Sequence, residues 1–408
     1  MRFIDRTIRV PLSMREKASP PKHFASWAIA MCMIVGLADT ASAAPTVTQA
    51  SGTFNHRAIV TITGAGFGTK ATAAPLVWDD ATGTNVLSKW SGYWPTNALF
   101  GPGTTPNPGG NMQYMSAPVL GANPPHNRTG RYLTGLHGSC GNALTGQNVA
   151  VWKNFTKVEG GYIYFSWYNY VNPGWGFTGG MSPADGNFKI FGYSVQGSIY
   201  ELPNNWYISQ WDGAGRGLYS ATATNYETII NDDSSPASGL TQLSGQVFQK
   251  AMINPLGGAW VKQEVLIKVS TGAGFLKMWE NGFQNVNYTG GTDAYPGTGR
   301  SAGIGGFARS CENPNNRRYF ADIYMDTSAQ RVMLGNAPTY AASTIREMQI
   351  PTSWADGSIN VTVNLGKFSL GQTAYLFVFD ATGTENATGI PVTVGADGLT
   401  RPTNLRVL

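Results

Sequence analysis

Trp167, Tyr168, Tyr170 and Trp175 fall around one segment of this sequence, and Trp206, Tyr207, Gln210, Trp211 and Asp212 around another. Flat rings interleaved with amides are the parts of a sugar-binding groove: ring faces stack on the C–H faces of a pyranose, while Asn, Gln, Arg and backbone groups bond its hydroxyls. Trp175, Trp167, Trp211 and Gln210 are accordingly the expected carbohydrate contacts. Trp175 comes first. It stands in the turn Asn172-Pro173-Gly174-Trp175-Gly176, and a turn seldom reaches the core, whereas most tryptophans of a chain with 12% aromatic residues fill it.

Other chemistries have fewer parts. Hydrolysis by two acids needs a carboxylate pair about 5–9 Å apart. Glu264 and Glu280 are the candidates, on neighbouring expected strands, but no Glu-x-Asp-x-Glu or Glu-x-Asp-x-x-Glu run occurs, and surface-facing carboxylates without a role are the plainer reading. His56, His126 and His137 show no metal-ligand spacing, and no Gly-x-Ser-x-Gly elbow is present. No cofactor is expected, with one reservation: Asn231-Asp232-Asp233-Ser234-Ser235 presents hard oxygens that suit calcium, Asp232 and Asp233 foremost, against the competing reading of a solvated acidic turn.

The elements that must position these residues begin after an export signal. A basic stretch from Met14-Arg15-Glu16-Lys17 to Lys22-His23 precedes the apolar run Trp27–Leu37, which is too short to span a bilayer, and Ala41-Ser42-Ala43 has the small-x-small form of a cleavage site. Residues 1–43 are therefore expected to be removed, with no membrane insertion afterwards. They hold six of the 28 Lys/Arg and three of the 23 Asp/Glu, which leaves 22 basic and 20 acidic side chains, so the mature chain has no cationic stripe for a phosphate backbone. Nucleic acid is excluded as an expected partner. Cys32 leaves with the signal. Cys140 and Cys311 remain in an oxidising compartment and are expected to form a disulfide, stabilising the fold by about 3–5 kcal/mol on the chain-entropy account.

The 51 glycines, the abundant Tyr, Trp, Thr and Asn, and the lack of a long 3.6-residue apolar stripe predict an all-β chain, and some 365 mature residues exceed one typical core. Strands are expected over Gly161–Tyr170, Phe188–Tyr193, Trp206–Trp211, Val261–Val269 and Arg318–Met325, each with one wet and one packed face. Val60-Thr61-Ile62-Thr63-Gly64 followed by Gly66-Phe67-Gly68 resembles the opening of an IPT/TIG immunoglobulin-like domain. Ser358–Asn364, Ala374–Asp380 and Gly389–Gly395 resemble its back half. The resemblance implies one sandwich split between residues 44–77 and 340–397, with a large domain at 78–335 inserted and a tail at 398–408; two unrelated small β units at the ends are the alternative.

Within the insert, Trp260-Val261-Lys262-Gln263-Glu264, then Gly274-Phe275-Leu276-Lys277-Met278-Trp279-Glu280-Asn281-Gly282, then Tyr319-Phe320-Ala321-Asp322-Ile323-Tyr324, resembles concanavalin A-like lectin/glucanase domains and implies a two-sheet jelly roll. Ile208-Ser209-Gln210-Trp211 and Tyr319–Tyr324 also resemble the Q-I-H and Y-F-K-A-G-x-Y strands of jelly-roll alginate lyases. The His is absent, the second Tyr comes one residue early, which on a regular strand turns it to the opposite face, and no R-x-E-x-R strand is visible. If that resemblance extends to β-elimination, Tyr324, Gln210, Arg309 and His137 are the implied catalytic set.

Together these readings lead to a secreted or cell-surface protein, the periplasm being the alternative compartment, that recognises an extracellular or cell-wall polysaccharide. A polysaccharide-degrading enzyme, a lyase before a hydrolase, is the second reading, and a surface adhesion module the third.

Overall fold

The computed structural model describes residues 43–94, 112–116, 128–136, 148–171, 188–195, 205–211, 225–230, 245–250, 258–293, 297–307 and 317–395. Residues 1–42 of the expected export segment, and Trp175, His137, Arg309, Cys140, Cys311, Asp232 and Asp233, lie outside these residues. Apart from one 3₁₀ turn at Val86–Ser88, the described elements are all strands.

Two sheets make the larger sandwich. The inner sheet runs in the order β15 (Phe283–Gly290), β14 (Gly274–Glu280), β13 (Val261–Lys268), β8 (Tyr162–Val171), β17 (Arg317–Asp326), β6 (Tyr132–Leu136) and β5 (Gln113–Met115), with β3 (Val77–Asp79) also on β17. The outer sheet runs β12 (Gly245–Lys250), β11 (Asn225–Ile230), β10 (Asn205–Trp211), β9 (Phe188–Val195), β16 (Gly299–Phe307), β7 (Asn148–Thr156) and β4 (Gly92–Trp94). Alternation along the strands builds the core between them: Ile163, Phe165 and Trp167 of β8, Val265 and Ile267 of β13, and Phe320, Ile323 and Met325 of β17 meet Phe191 and Tyr193 of β9, Val149 and Val151 of β7, and Ile304 of β16. Burying each such side chain contributes about 1.5–3 kcal/mol.

A third sheet joins the two ends of the chain. Its order is β1 (Thr46–Ser51), β2 (Ile59–Ala65), β20 (Ser358–Thr362), β19 (Arg346–Ala355), β18 (Arg331–Gly335), β21 (Thr373–Phe379) and β22 (Ile390–Thr393). Ile59 lies opposite Thr362 and Thr63 opposite Ser358, so a strand from near residue 60 is zipped to one from near residue 360. The ten-residue β19 serves two neighbours in turn. It pairs with β18 over Arg346–Gln349 and with β20 over Ile350–Ala355, with a register shift between Pro351 and Ser353 that bends the strand. The sheet thereby folds over its own core of Val60, Ile62, Phe67, Leu334, Val361, Phe368 and Val378, and a bridge between Phe54 and Val394 ties its two edges.

The inner sheet is covered on both faces, which corrects the expectation of one wet face. Tyr164, Leu266 and Tyr324, on the face turned away from the outer sheet, pack with Met333, Met348, Phe377 and Phe379 of the terminal sheet and with Tyr340. All but the last residue of β13 are buried. A second correction concerns β17. Tyr319 and Tyr324 are five residues apart, which on a regular strand puts them on opposite faces, yet both lie on the face away from the outer sheet. Asp322, at φ +47°, supplies the extra residue of a bulge between Ala321 and Tyr324 and restores the alternation.

The β14–β15 hairpin turns through Asn281 and Gly282, both at positive φ (46° and 84°), the type I′ geometry that Asn-Gly prefers. This turn docks on the loop before β19: a Cβ at Gly282 would overlap the Ser343 carbonyl and press on the Arg346 guanidinium. Gly282→Ala is therefore expected to cost about 1–3 kcal/mol through backbone strain and lost docking, read as a lower thermal midpoint.

Candidate functional site

Buried charge concentrates where the inner and terminal sheets meet. Glu264 of β13 is 1% exposed and accepts hydrogen bonds from the Tyr164 hydroxyl (2.6 Å) and the Tyr340 hydroxyl (2.7 Å), with the Arg346 guanidinium 3.5 Å away. Arg346 also donates to the Ser343 and Tyr340 carbonyls, and Arg331 lies over the rings of Tyr164 and Phe379. Burial pushes the Glu264 carboxyl up, but Arg346 and the two hydroxyls outweigh it and hold the group below its ordinary range. Further along the seam, Glu347 of β19 accepts a short hydrogen bond from the Tyr168 hydroxyl and one from the Lys367 backbone N–H (3.0 Å), and Lys262 Nζ stands 4.0 Å from it. The ammonium groups of Lys262 and Lys367 lie 4.5 Å and 4.9 Å from the Tyr168 ring centroid.

Beside this seam the inner sheet carries an aromatic cluster of Tyr132, Tyr168, Tyr170, Tyr319 and Trp260. Tyr132 meets Tyr319 edge-on at 5.1 Å, and Tyr170 lies 5.3 Å from Trp260. Burial, and after it the neighbouring carboxylates, pushes the phenols of Tyr164, Tyr168 and Tyr324 well above their ordinary value. Their hydroxyls donate hydrogen bonds to the carboxylates of Glu264, Glu347 and Asp326.

The open ground lies at the end of the seam, where six stretches of the chain converge on a small cleft that opens to solvent. Asp322 and Asn364 form its floor, both nearly fully buried, with Asn364 Nδ2 donating to the Asp322 carboxylate at 3.3 Å. Trp78, half-buried on β3, and His56 supply the wall. Arg57 and Arg128, both exposed, stand at the rim. Arg57 reaches Asp80 at 3.5 Å, and Arg128 donates a short hydrogen bond to the Phe368 carbonyl. Burial, then the charges of Arg57 and Arg128, lowers the His56 pKa, and the imidazole Nδ1 is buried with no hydrogen-bond partner. Burial pushes Asp80 up, but the Thr82 hydroxyl and Lys89 draw it below its ordinary range. Asp322 is where bulge, cleft and seam coincide, since its charge also reaches Tyr168.

The residues singled out from sequence are scattered. Trp167 is fully buried between the sheets and stacked on Phe191, so its ring offers no face to a ligand. Tyr324 is equally buried, its hydroxyl donating to Asp326 at 3.0 Å, and Lys70 pairs with Asp326 at 2.5 Å. Gln210 and Trp211 lie on β10 of the outer sheet, whereas Tyr324 lies on β17 of the inner one, so the lyase-type set is not assembled on one sheet. Glu264 and Glu280 are not surface carboxylates: both are buried, and strand alternation sends them to opposite faces, Glu280 beside Gln263 and Glu264 toward the terminal sheet. Among the described residues no group of three or more His, Cys, Asp or Glu could hold a metal ion, and no helix is long and apolar enough to cross a membrane. The cleft residues carry no local spacing signal. The one pointer to them was the odd interval between Tyr319 and Tyr324, which a bulge at Asp322 resolves.

No family model and no curated protein matches this sequence. Among solved structures the chain is similar to an endo-β-1,4-glucuronan lyase from the fungus Trichoderma reesei, at 11% identity over 60% of this chain and 94% of that one, with a TM-score of 0.42. It is similar to the alginate lyase Aly36B at 13% identity over 63% and 98%, with a TM-score of 0.39. The binding domain of botulinum neurotoxin serotype D gives 12% identity over 54% and 44%, with a TM-score of 0.29. What the site does rests on its own residues.

The seam predicts a pH response. Glu264, Asp80 and Asp293 are held below their ordinary carboxylate range in the fold, Asp293 because Arg300, Tyr193 and Lys157 outweigh burial. Such groups contribute stability above the unfolded pKa, about 4, that is lost as pH falls through the lower folded value. Asp326, raised by burial, acts in the opposite sense, but three groups oppose one. The thermal midpoint is therefore expected to fall between pH 5 and pH 3. Glu264→Ala, which strands the buried Arg346, is expected to cost about 3–5 kcal/mol at pH 7 in denaturant unfolding; a cost below 1 kcal/mol would show that the seam is not held by this carboxylate.

Proposed function

We propose that this chain is a secreted protein that recognises an extracellular polysaccharide and that the cleft at Trp78, His56, Arg57, Arg128, Asp322 and Asn364 holds a sugar unit of it. The observation that carries this reading is the division of chemistry within the cleft. An indole and an array of N–H donors line the wall and rim, and a carboxylate and an amide line the floor. A pyranose presents matching parts, a C–H face for the ring and hydroxyls that both donate and accept.

The buried phenols of the inner sheet are turned to carboxylates inside the protein and do not line the cleft. The finer assignments belong to the same proposal: a jelly roll of concanavalin A-like type, and a split IPT/TIG-like sandwich that the β2–β20 pairing supports. Trp175, Trp211 and Gln210 remain proposed glycan contacts, and a disulfide between Cys140 and Cys311 remains proposed.

The test incubates the purified chain with immobilised neutral and acidic polysaccharides while recording retention, reducing ends and absorbance near 235 nm. Retention without product is expected, and Trp78→Ala is expected to weaken it about tenfold, the equivalent of about 1.4 kcal/mol of lost ring contact. New absorbance at 235 nm would make the protein a lyase, and wild-type retention by Trp78→Ala would remove the cleft from the site.

A further inference from the structure

We infer that the rim of this cleft reads a negatively charged substituent of the glycan, a carboxylate or a sulfate ester, through Arg57, Arg128 and His56. The inference rests on the polysaccharide reading and adds the charge class of the ligand.

Arg57 has a side chain 62% exposed, and its acidic neighbour Asp80 stands 3.5 Å away. Asp80 is served by others: its Oδ1 accepts from the Thr82 hydroxyl at 2.6 Å and from Lys89 at 3.3 Å. Arg128 is spent on a carbonyl, and among the described residues it pairs with no carboxylate. Each guanidinium has five N–H donors in a fixed fork, so both retain the means to grip an oxyanion, which a neutral hydroxyl would use only in part.

His56 supplies the second observation. Its Nδ1 is buried without a partner, among Arg57, Arg128, Asp80 and the Asp322 of the floor. Burial first, and after it the two guanidiniums, disfavour the protonated imidazole; an anion bound at the rim would offset the guanidinium part and move its titration upward. The floor sets the orientation. Asp322 repels an anion and accepts from hydroxyls, so the charged substituent is driven outward to the arginines while the ring hydroxyls point inward.

The experiment compares retention of the full chain, at fixed salt and pH 7, on alginate (carboxylate), carrageenan (sulfate) and laminarin (neutral), for the wild type and for Arg57→Gln and Arg128→Gln. One acidic polymer is expected to bind at least tenfold tighter than laminarin, and each Gln variant to reduce that acidic-to-neutral ratio about tenfold. Which acidic polymer is preferred identifies the substituent. Equal retention of acidic and neutral polymers, or a ratio unmoved in both variants, overturns the inference while leaving polysaccharide recognition intact. A readout independent of the polymer is the imidazole resonance of His56 followed by NMR over a pH series, with and without sodium glucuronate or sodium sulfate. An upward displacement of its titration by either anion is expected. No displacement by either overturns the charge site, and a displacement without retention of any polymer overturns the polysaccharide reading alone.

Discussion

The buried carboxylate of Glu264 is the interaction around which this molecule is arranged. A carboxylate taken out of water is tolerated only if its oxygens are satisfied by donors in good geometry. Here Oε2 accepts from Tyr164 of β8 and, across the seam, from Tyr340, while Oε1 faces the Arg346 guanidinium beside the terminal sheet as a countercharge at 3.5 Å. Neither sheet can keep this network without the other. Glu347, a terminal-sheet acid, likewise accepts from Tyr168 of the inner sheet and has Lys262 of that sheet 4.0 Å away as a countercharge.

From that constraint follows the three-layer stack. An inner sheet with tyrosines and charges on one face and aliphatic side chains on the other has no wet face to spare. It must be covered twice, by the outer sheet through Phe165, Val265 and Ile323, and by the terminal sheet through Tyr164, Leu266 and Tyr324. The terminal sheet in turn exists because the chain returns to its start, β20 lying against β2.

The cleft is a product of this closure. The bulge at Asp322 interrupts the pairing of β17 with β8, and the stretches at His56, Asp80 and Arg128 line the cleft beside it. A buried acid and amide at the bottom with exposed guanidiniums above is an arrangement that neither sheet holds alone, since Asp322 belongs to one and Asn364 to the segment after β20 of the other. The upward displacement of the tyrosines comes from the same burial, with the neighbouring carboxylates adding to it.

Period-two patterning, glycine-marked turns and the absence of helical stripes determined the all-β class. The strands at residues 162, 188, 205, 261 and 317 were legible because each alternates, or runs apolar and aromatic, over six or more residues, and Asn281-Gly282 carried its hairpin because only such residues take positive φ readily. Burial was not legible in the same way. Alternation states which side chains share a face but not what covers it, so Trp167 could pass for a platform and Glu264 for a surface acid, although both are sealed in the interior. The cleft was beyond local reading altogether, because His56, Trp78, Arg128, Asp322 and Asn364 are brought together by strand order and one bulge. Sequence determined which elements form; tertiary structure decided which faces they lose to one another, because desolvation is a property of the neighbours a side chain acquires and not of its place in the chain.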